Sequence, residues 1–294
     1  MFEGFNHAQI QTGDKEVVIN LRYGGNGPPL LLLHGNTVTH ALWHKIAPRL
    51  SQDFTVVATD LRGYGDSSKP FGKEDHSTYS FRSMAIDQVE VMAKLGLDSF
   101  FVAGHDRGGR VGHRMALDFP EKVLKFASLD IVPTHYTLTH LNKERALAQW
   151  HWFFMALPYD FPEQLLLGKE EYYIRKKLNR PGIGFGGITE EALAEYIRCC
   201  TPANCHAVCE DYRASITVDF EMDSRDFNQG KKIKCPMLVI WGERSHMNRY
   251  FKPVEAWSEY ANNIVGGRML PCGHFPPEQC PEETYQALYE FFKN

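Results

Sequence analysis

The sequence predicts an α/β fold, a mostly parallel sheet covered by helices and interrupted by an inserted helical cap, on three observations. Short, continuously apolar runs bounded by Gly, Pro or Asp recur at PLLLLHG (29–35), FTVVATD (54–60), FFVAGHD (100–106), LKFASLD (124–130) and MLVIWGE (237–243). Unbroken apolarity suits strands buried on both faces, as in a parallel sheet. Helical patterns lie between them. In SMAIDQVEVMAKLGL (83–97), Met84, Ala85, Val89, Val91 and Met92 give a broad inner face and Gly96 marks the end. The rhythm then changes from about Thr134 to Gly230. That stretch carries aromatic-rich helical segments, ALAQWHWFFMAL (146–157) and EEALAEYIRCC (190–200), broken by the glycine-rich PGIGFGGIT, and the strand pattern resumes at Cys235. The expected division is a core of residues 1–133 and 231–294 with a cap at 134–230.

Composition bounds the partners. The 294 residues are 43% apolar and 23% charged, enough for a real core and unlike a disordered chain. The formal charge is -4 and no Lys- or Arg-rich block occurs, so there is no electrostatic footprint for nucleic acid or an anionic membrane. A small molecule is the expected partner. The opening MFEGFNHAQIQTGDKEVVIN has no basic region followed by an apolar segment, and apolar runs such as Leu30–Leu33 are far too short to span a bilayer. A soluble, cytoplasmic protein is expected. Seven cysteines, an odd number without regular spacing, suggest reduced thiols. Cys199, Cys200, Cys205 and Cys209 surround His206, but the set lacks a Cys-x-x-Cys pair, and burial of small thiols explains it better than a metal.

The chemistry concentrates in FFVAGHDRGGRVGHRMALDF, which reads as a buried strand, a sharp turn and a helix. Gly104-His105-Asp106-Arg107-Gly108 has the spacing of a nucleophile elbow, where flanking glycines remove the steric conflict that a side chain held out at the strand end creates. An N-cap aspartate is the bland alternative. The flanking strand, both glycines and the later partners favour a nucleophile. His274, in the MLPCGHFPPE turn, is the expected base, and the order nucleophile, acid, histidine suits this class of turn. Asp130, after LKFASL, is favoured over Glu243, after MLVIW, as the acid that orients it. The backbone amides of Asn36, after His34-Gly35, and of Arg107 are expected to form an oxyanion hole, with His34 itself structural.

No Gly-x-Ser-x-Gly occurs. A carboxylate nucleophile forms an ester by alkylation at a saturated carbon, and that ester is hydrolysed by water activated by histidine. Such chemistry points to dehalogenation or epoxide opening. Arg107 and Arg110 lie three apart at the helix start. A substrate carboxylate about 4 Å from Asp106 is repelled by roughly 4 kcal/mol at an effective dielectric near 20, which two guanidiniums can offset while orienting the substrate. Trp150, His151, Trp152 and Tyr212 offer donors for a leaving halide, Trp150 looking most like core.

With these residues in view, the chain resembles the fluoroacetate/haloacetate dehalogenases of the α/β-hydrolase superfamily over nearly its whole length. The resemblance rests on LLLLHG, DLRGYGDSSKP (60–70), GHDRGGRVGHRMALD, LDIVPT (129–134), the HW pair at 151–152, CEDYRA (209–214), DFEMD (219–223) and CGHF (272–275). It implies an α/β-hydrolase core with Asp106 as nucleophile, His274 as base and Asp130 as its acid. It also implies Arg107 and Arg110 on the substrate carboxylate, His151, Trp152 and Tyr212 on the halide, and a homodimer without metal or organic cofactor. Two departures stand out: HGNTVTH replaces the family's HGFP-type turn, and the cap stretch LNRPGIGFGG (178–187) is atypical. Asn36 is similar to an asparagine that helps to hold halide in haloalkane dehalogenases. Epoxide hydrolases share the Asp-His-acid set but use two cap tyrosines; Tyr212 has no obvious second here, and Arg107 stands where those enzymes usually have Trp. A non-catalytic ligand-binding member of the fold is the third reading, opposed by the intact Asp106, Asp130 and His274.

Overall fold

A computed structural model describes residues 1–179 and 183–294. The chain builds an eight-stranded sheet from β1 (Asn6–Gln11), β2 (Val18–Gly24), β3 (Pro29–Leu33), β4 (Thr55–Thr59), β5 (Phe100–His105), β6 (Val123–Leu129), β7 (Met237–Gly242) and β8 (Ile264–Leu270), in the order β1-β2-β4-β3-β5-β6-β7-β8. β2 runs antiparallel to β1 and β4, and every other pair is parallel. The five apolar runs become β3 to β7, the contiguous inner strands; Leu30, Leu31, Leu32 and Leu33 have no exposed surface at all. Both faces are therefore covered, as unbroken apolarity requires.

β3 sits between β4 and β5, so the chain leaves β3 for one side of the sheet and later crosses to the other. The crevice beyond the carboxyl ends of β3 and β5 is a topological switch point, the place where open α/β sheets accept ligands. The turns after these two strands hold Asn36 and Asp106.

The helices used below are α1 (Phe81–Lys94), α2 (Arg107–Asp118), α3 (Thr134–Thr139), α4 (Lys143–Ala148), α5 (Trp150–Met155), α6 (Glu170–Leu178), α7 (Glu190–Cys199), α8 (Pro202–Ile216) and α9 (Val218–Asn228). The hydroxyl of Ser80 accepts from the Ser83 amide and starts α1 two residues before the expected pattern. Between β6 and β7 the described residues form helices and no strand. The expected single helix over 146–157 is instead α4 and α5, interrupted at Gln149 (φ -108°, ψ 25°). That break overturns one expectation. It rotates Trp150 outward, 51% exposed rather than core, while Trp152 and Met155 stay buried. Of the atypical stretch at 178–187, residues 180–182 lie outside the described residues.

Cys199, Cys200, Cys205 and Cys209 are buried, with the Cys200 and Cys205 sulfurs 3.8 Å apart. Among the described residues no group of three His, Cys, Asp or Glu side chains could hold a metal ion, and no helix is long and apolar enough to cross a membrane.

Candidate active site

Asp106 occupies the turn between β5 and α2 at φ 49°, ψ -115°, a conformation costing a non-glycine residue on the order of 1–3 kcal/mol. The neighbouring glycines make it possible. A Cβ on Gly104 would lie 2.3 Å from the Gly108 carbonyl oxygen, and one on Gly108 would lie 2.5 Å from that of His34. Asp106 does stand at the N-cap position of α2, yet its side chain makes no capping bond. The carboxylate is turned instead to other partners: Oδ1 accepts the Asn36 amide at 3.2 Å, and Oδ2 lies 3.5 Å from His274 Nε2.

His274 Nδ1 donates to Asp130 Oδ2 at 2.6 Å, and the Gly242 amide donates to Asp130 Oδ1 at 2.9 Å. Asp130, at φ 50° directly after β6, is fully buried, whereas Glu243 is exposed. Of these two carboxylates, Asp130 is the one in contact with His274. The His274 carbonyl accepts from His105 Nε2 at 2.6 Å, which pins the loop against the end of β5. His105 is kept neutral for this task, its pKa pushed down to about 4 by burial and by the charge of His274.

The electrostatics favour a charged pair. Burial opposes ionisation of Asp106, but its bond with His274 and the charges of His274 and Arg107 prevail and hold its pKa well below the carboxylate range. For His274, burial again opposes charge, and Asp106 and Asp130 outweigh it to raise the pKa.

A cavity of about 40 Å³ opens over Asp106, walled by Asn36, Trp152, Tyr212 and His274 among others, with His151 also on its surface. Tyr212 is 1% exposed, and burial holds its phenol protonated well above the ordinary value. Its oxygen accepts from Asn36 Nδ2 at 3.1 Å. Asn36 therefore occupies one lone pair of that oxygen, leaving the phenol proton to be donated elsewhere. The side chain of Asn36 serves the cap, while its backbone amide serves Asp106.

The arginines are arranged differently from the simple expectation of two side chains projecting into the pocket. Neither guanidinium is among the groups bounding the cavity. Arg107 lies with its Cζ 4.2 Å from the Tyr212 ring centroid and is held by Asp211 through Nε at 2.9 Å and a second close contact, with Ser215 also bonded. Arg110 stacks 4.5 Å over Trp152 and donates to Thr134 Oγ1 at 2.7 Å. Both are buried, and two of their donors, Arg107 Nη1 and Arg110 Nε, have no hydrogen-bond partner among the described residues. Burial and the neighbouring Arg107 push the Arg110 pKa down to about 9, the signature of a cation short of compensating charge.

Sequence reasoning assigned no role to Asp211, although it lies in the CEDYRA stretch; its contact with Arg107 spans 104 residues and has no local signature. Gln149, Lys177 and His246 also line the cavity without having been singled out.

Comparison with known proteins identifies the family. Residues 28–279 match the family model for the alpha/beta hydrolase fold. The chain is 43% identical to a fluoroacetate dehalogenase from Burkholderia sp, covering 100% of this chain and 96% of that protein. It is 33% identical to a soluble epoxide hydrolase from Corynebacterium sp. (strain C12), covering 91% of each. Among solved structures, an α/β hydrolase from Nostoc sp PCC 7120 superposes with a TM-score of 0.96 at 52% identity, covering 100% of both chains.

Proposed function

The chain belongs to the α/β hydrolases and, within them, to the fluoroacetate/haloacetate dehalogenase family, and from that premise we propose that it hydrolyses haloacetates to glycolate and halide through Asp106. One observation carries the reading: a carboxylate, not a hydroxyl, stands at the elbow, facing a small cavity with His151, Trp152 and Tyr212 on its wall.

Asp106 Oδ2 attacks the halogen-bearing carbon, and the halide leaves with the bonding electron pair, received by the cap donors. Oδ1, already on the Asn36 amide, becomes the ester carbonyl oxygen. The amide of Arg107, first residue of α2 and so without an intrahelical acceptor, is the second donor of the hole. His274 then removes a proton from water, the hydroxide attacks the Asp106 carbonyl carbon, and His274 returns the proton to the departing glycolate oxygen. Asp130 holds the imidazole and stabilises its charge. Arg107 Nη1 and Arg110 Nε, buried beside the cavity and not on its wall, take the substrate carboxylate through a shift of Tyr212 and Trp152, whose rings lie against them. Residues 134–230 act as the cap that closes this site, and the reading includes a cytoplasmic homodimer working without metal or organic cofactor.

The epoxide hydrolase relative keeps a second reading in view: the same Asp-His-Asp set, with His151 and Tyr212, whose ring centroids lie 5.7 Å apart, protonating an epoxide oxygen. Halide release from fluoro-, chloro- and bromoacetate, set against a neutral haloalkane and an epoxide, separates the two. Turnover of the epoxide alone would overturn the dehalogenase reading, and no turnover of any would leave a ligand-binding member of the fold. A single turnover in heavy-oxygen water should place label in the Asp106 carboxylate. Label in the product alone would mean direct attack by water.

A further inference from the structure

We infer that Lys169, Lys176 and Lys177 form a cationic antechamber that gathers small carboxylate anions and delivers them to the cavity over Asp106. Outside that cavity lies an open groove of about 590 Å³. It adjoins the catalytic cavity, with Ala148, His151, Lys177 and His246 lining both. The three lysines line it, and no Asp or Glu does among the described residues. Trp150, Leu147, Phe154 and Tyr172 supply apolar walls. The exposure of Trp150 thereby gains a reason.

Charge of one sign over low-dielectric walls focuses a field and concentrates the opposite ion, here on a chain whose formal charge is -4. A small anion approaching this protein is repelled on average and attracted at this groove. The ordinary explanation for basic residues near a helix end covers part of the set: Lys176 and Lys177 stand in the last turn of α6, where they complement the helix dipole. Lys169 does not fit it. That residue is the N-cap of α6, where the dipole disfavours a cation, yet it lines the same groove. Three lysines from both ends of one helix, lining a groove beside the cavity that holds a nucleophile, match an anionic substrate in transit.

This inference rests on the haloacetate reading, so its test has two independent arms. In the first, halide release from chloroacetate is followed for the parent and for the double variant Lys169→Gln, Lys176→Gln, which leaves the cavity-lining Lys177 in place, at ionic strengths of roughly 0.02 and 0.5 M, where the Debye length shrinks from tens of ångströms to a few. Two charges acting over distances on the order of 10 Å give about a threefold loss of kcat/KM at low salt. The expected result is that loss, with kcat held within about twofold and the gap closing at high salt. An unchanged kcat/KM, a loss carried by kcat, or a loss equal at both salt concentrations overturns the inference. The second arm needs no turnover. Iodide, an anion, and acrylamide, which is neutral, quench the exposed Trp150, whose share of the signal is fixed by Trp150→Phe. The iodide-to-acrylamide ratio should fall about twofold in the double variant, and an unchanged ratio refutes the antechamber. A parent that releases no halide from any haloacetate refutes the proposed activity instead, and the quenching ratio still decides the groove.

Discussion

Replacing Tyr212 with Phe isolates the proposed contribution of the cap to carbon–halogen cleavage. The ring is fixed independently of its hydroxyl: it lies under Arg107 at 4.2 Å and edge-on to Trp152 and His151 at 5.6 and 5.7 Å. Phenylalanine should therefore hold the same place, removing one donor and the acceptor for Asn36 Nδ2. A hydrogen bond to a charged group contributes about 1.5–3 kcal/mol, and 1.4 kcal/mol is roughly tenfold in rate. Fluoride concentrates its developing charge on a small ion, so the variant should lose about 10- to 150-fold in kcat/KM for fluoroacetate. Bromide spreads the charge and leaves readily, so bromoacetate should lose only about threefold, since only donors that strengthen in the transition state matter. Fluoride and bromide release by the two proteins, measured with ion-selective electrodes, gives the ratio directly. Losses of equal size on both substrates would show that Tyr212 only packs the cap. Should the parent release no fluoride, chloroacetate takes its place, and the Asn36 turn becomes the first residue to vary.

His274→Ala should still be alkylated by chloroacetate but fail to hydrolyse the ester, so intact-protein and peptide mass should show an adduct on Asp106; repeated turnover by this variant would contradict the assigned base. Because Asp106 supplies the foremost of the contributions that raise the His274 pKa against burial, esterification of Asp106 should let that pKa fall. When hydrolysis limits kcat, its acid limb should therefore lie at lower pH than the His274 titration followed by NMR in the free protein, and a limb at the same or higher pH would count against a neutral ester intermediate. Arg110→Leu should cost roughly a hundredfold or more in chloroacetate kcat/KM, by leaving the substrate carboxylate poorly paired beside Asp106; parent-like kinetics would move the carboxylate site elsewhere. Asp211→Asn should leave Arg107 charged and buried without its counter-ion, destabilising the fold by about 3–5 kcal/mol, and a thermal midpoint within a degree of the parent would show that the pair matters little.

The elbow could be read from sequence because its requirements are local. Gly104 and Gly108 are demanded by backbone oxygens within two or three ångströms of where a Cβ would stand, and that demand is written in adjacent positions. Strand ends carried Asp130 for the same reason, each inner strand being an unbroken apolar run that stops at a polar residue. β1 carries no such run: it is an edge strand with most of its residues exposed, so its polar composition hides it. β8, the other edge, exposes Val265 and Met269 and contains two glycines. Trp150 was misjudged because its burial depends on the helical phase, and the phase is reset by the break at Gln149. The Arg107–Asp211 and Asn36–Tyr212 contacts join the core to α8 across more than a hundred residues. Only the packing of the helices after β6 brings them together.

That packing makes the two arginines unequal, although their spacing in sequence presents them as a pair. Arg107 already faces a buried carboxylate, and Tyr64 donates to the same Asp211 oxygen at 2.6 Å, so much of its charge is answered before a substrate arrives. What Arg107 adds to the site comes largely through position: it stacks on Tyr212, the proposed halide donor, and carries the amide proposed for the oxyanion hole. Among the described residues Arg110 has only hydroxyls as hydrogen-bond partners, Thr134 and Thr137, and burial together with Arg107 destabilises its charge. An anion placed beside Arg110 relieves that cost, whereas one placed beside Arg107 competes with Asp211. On the haloacetate reading, the repulsion between Asp106 and a substrate carboxylate, roughly 4 kcal/mol at about 4 Å and an effective dielectric near 20, would be offset chiefly by Arg110. On the haloacetate reading, selectivity for an acid over a neutral substrate would then reside in a guanidinium kept short of charged partners.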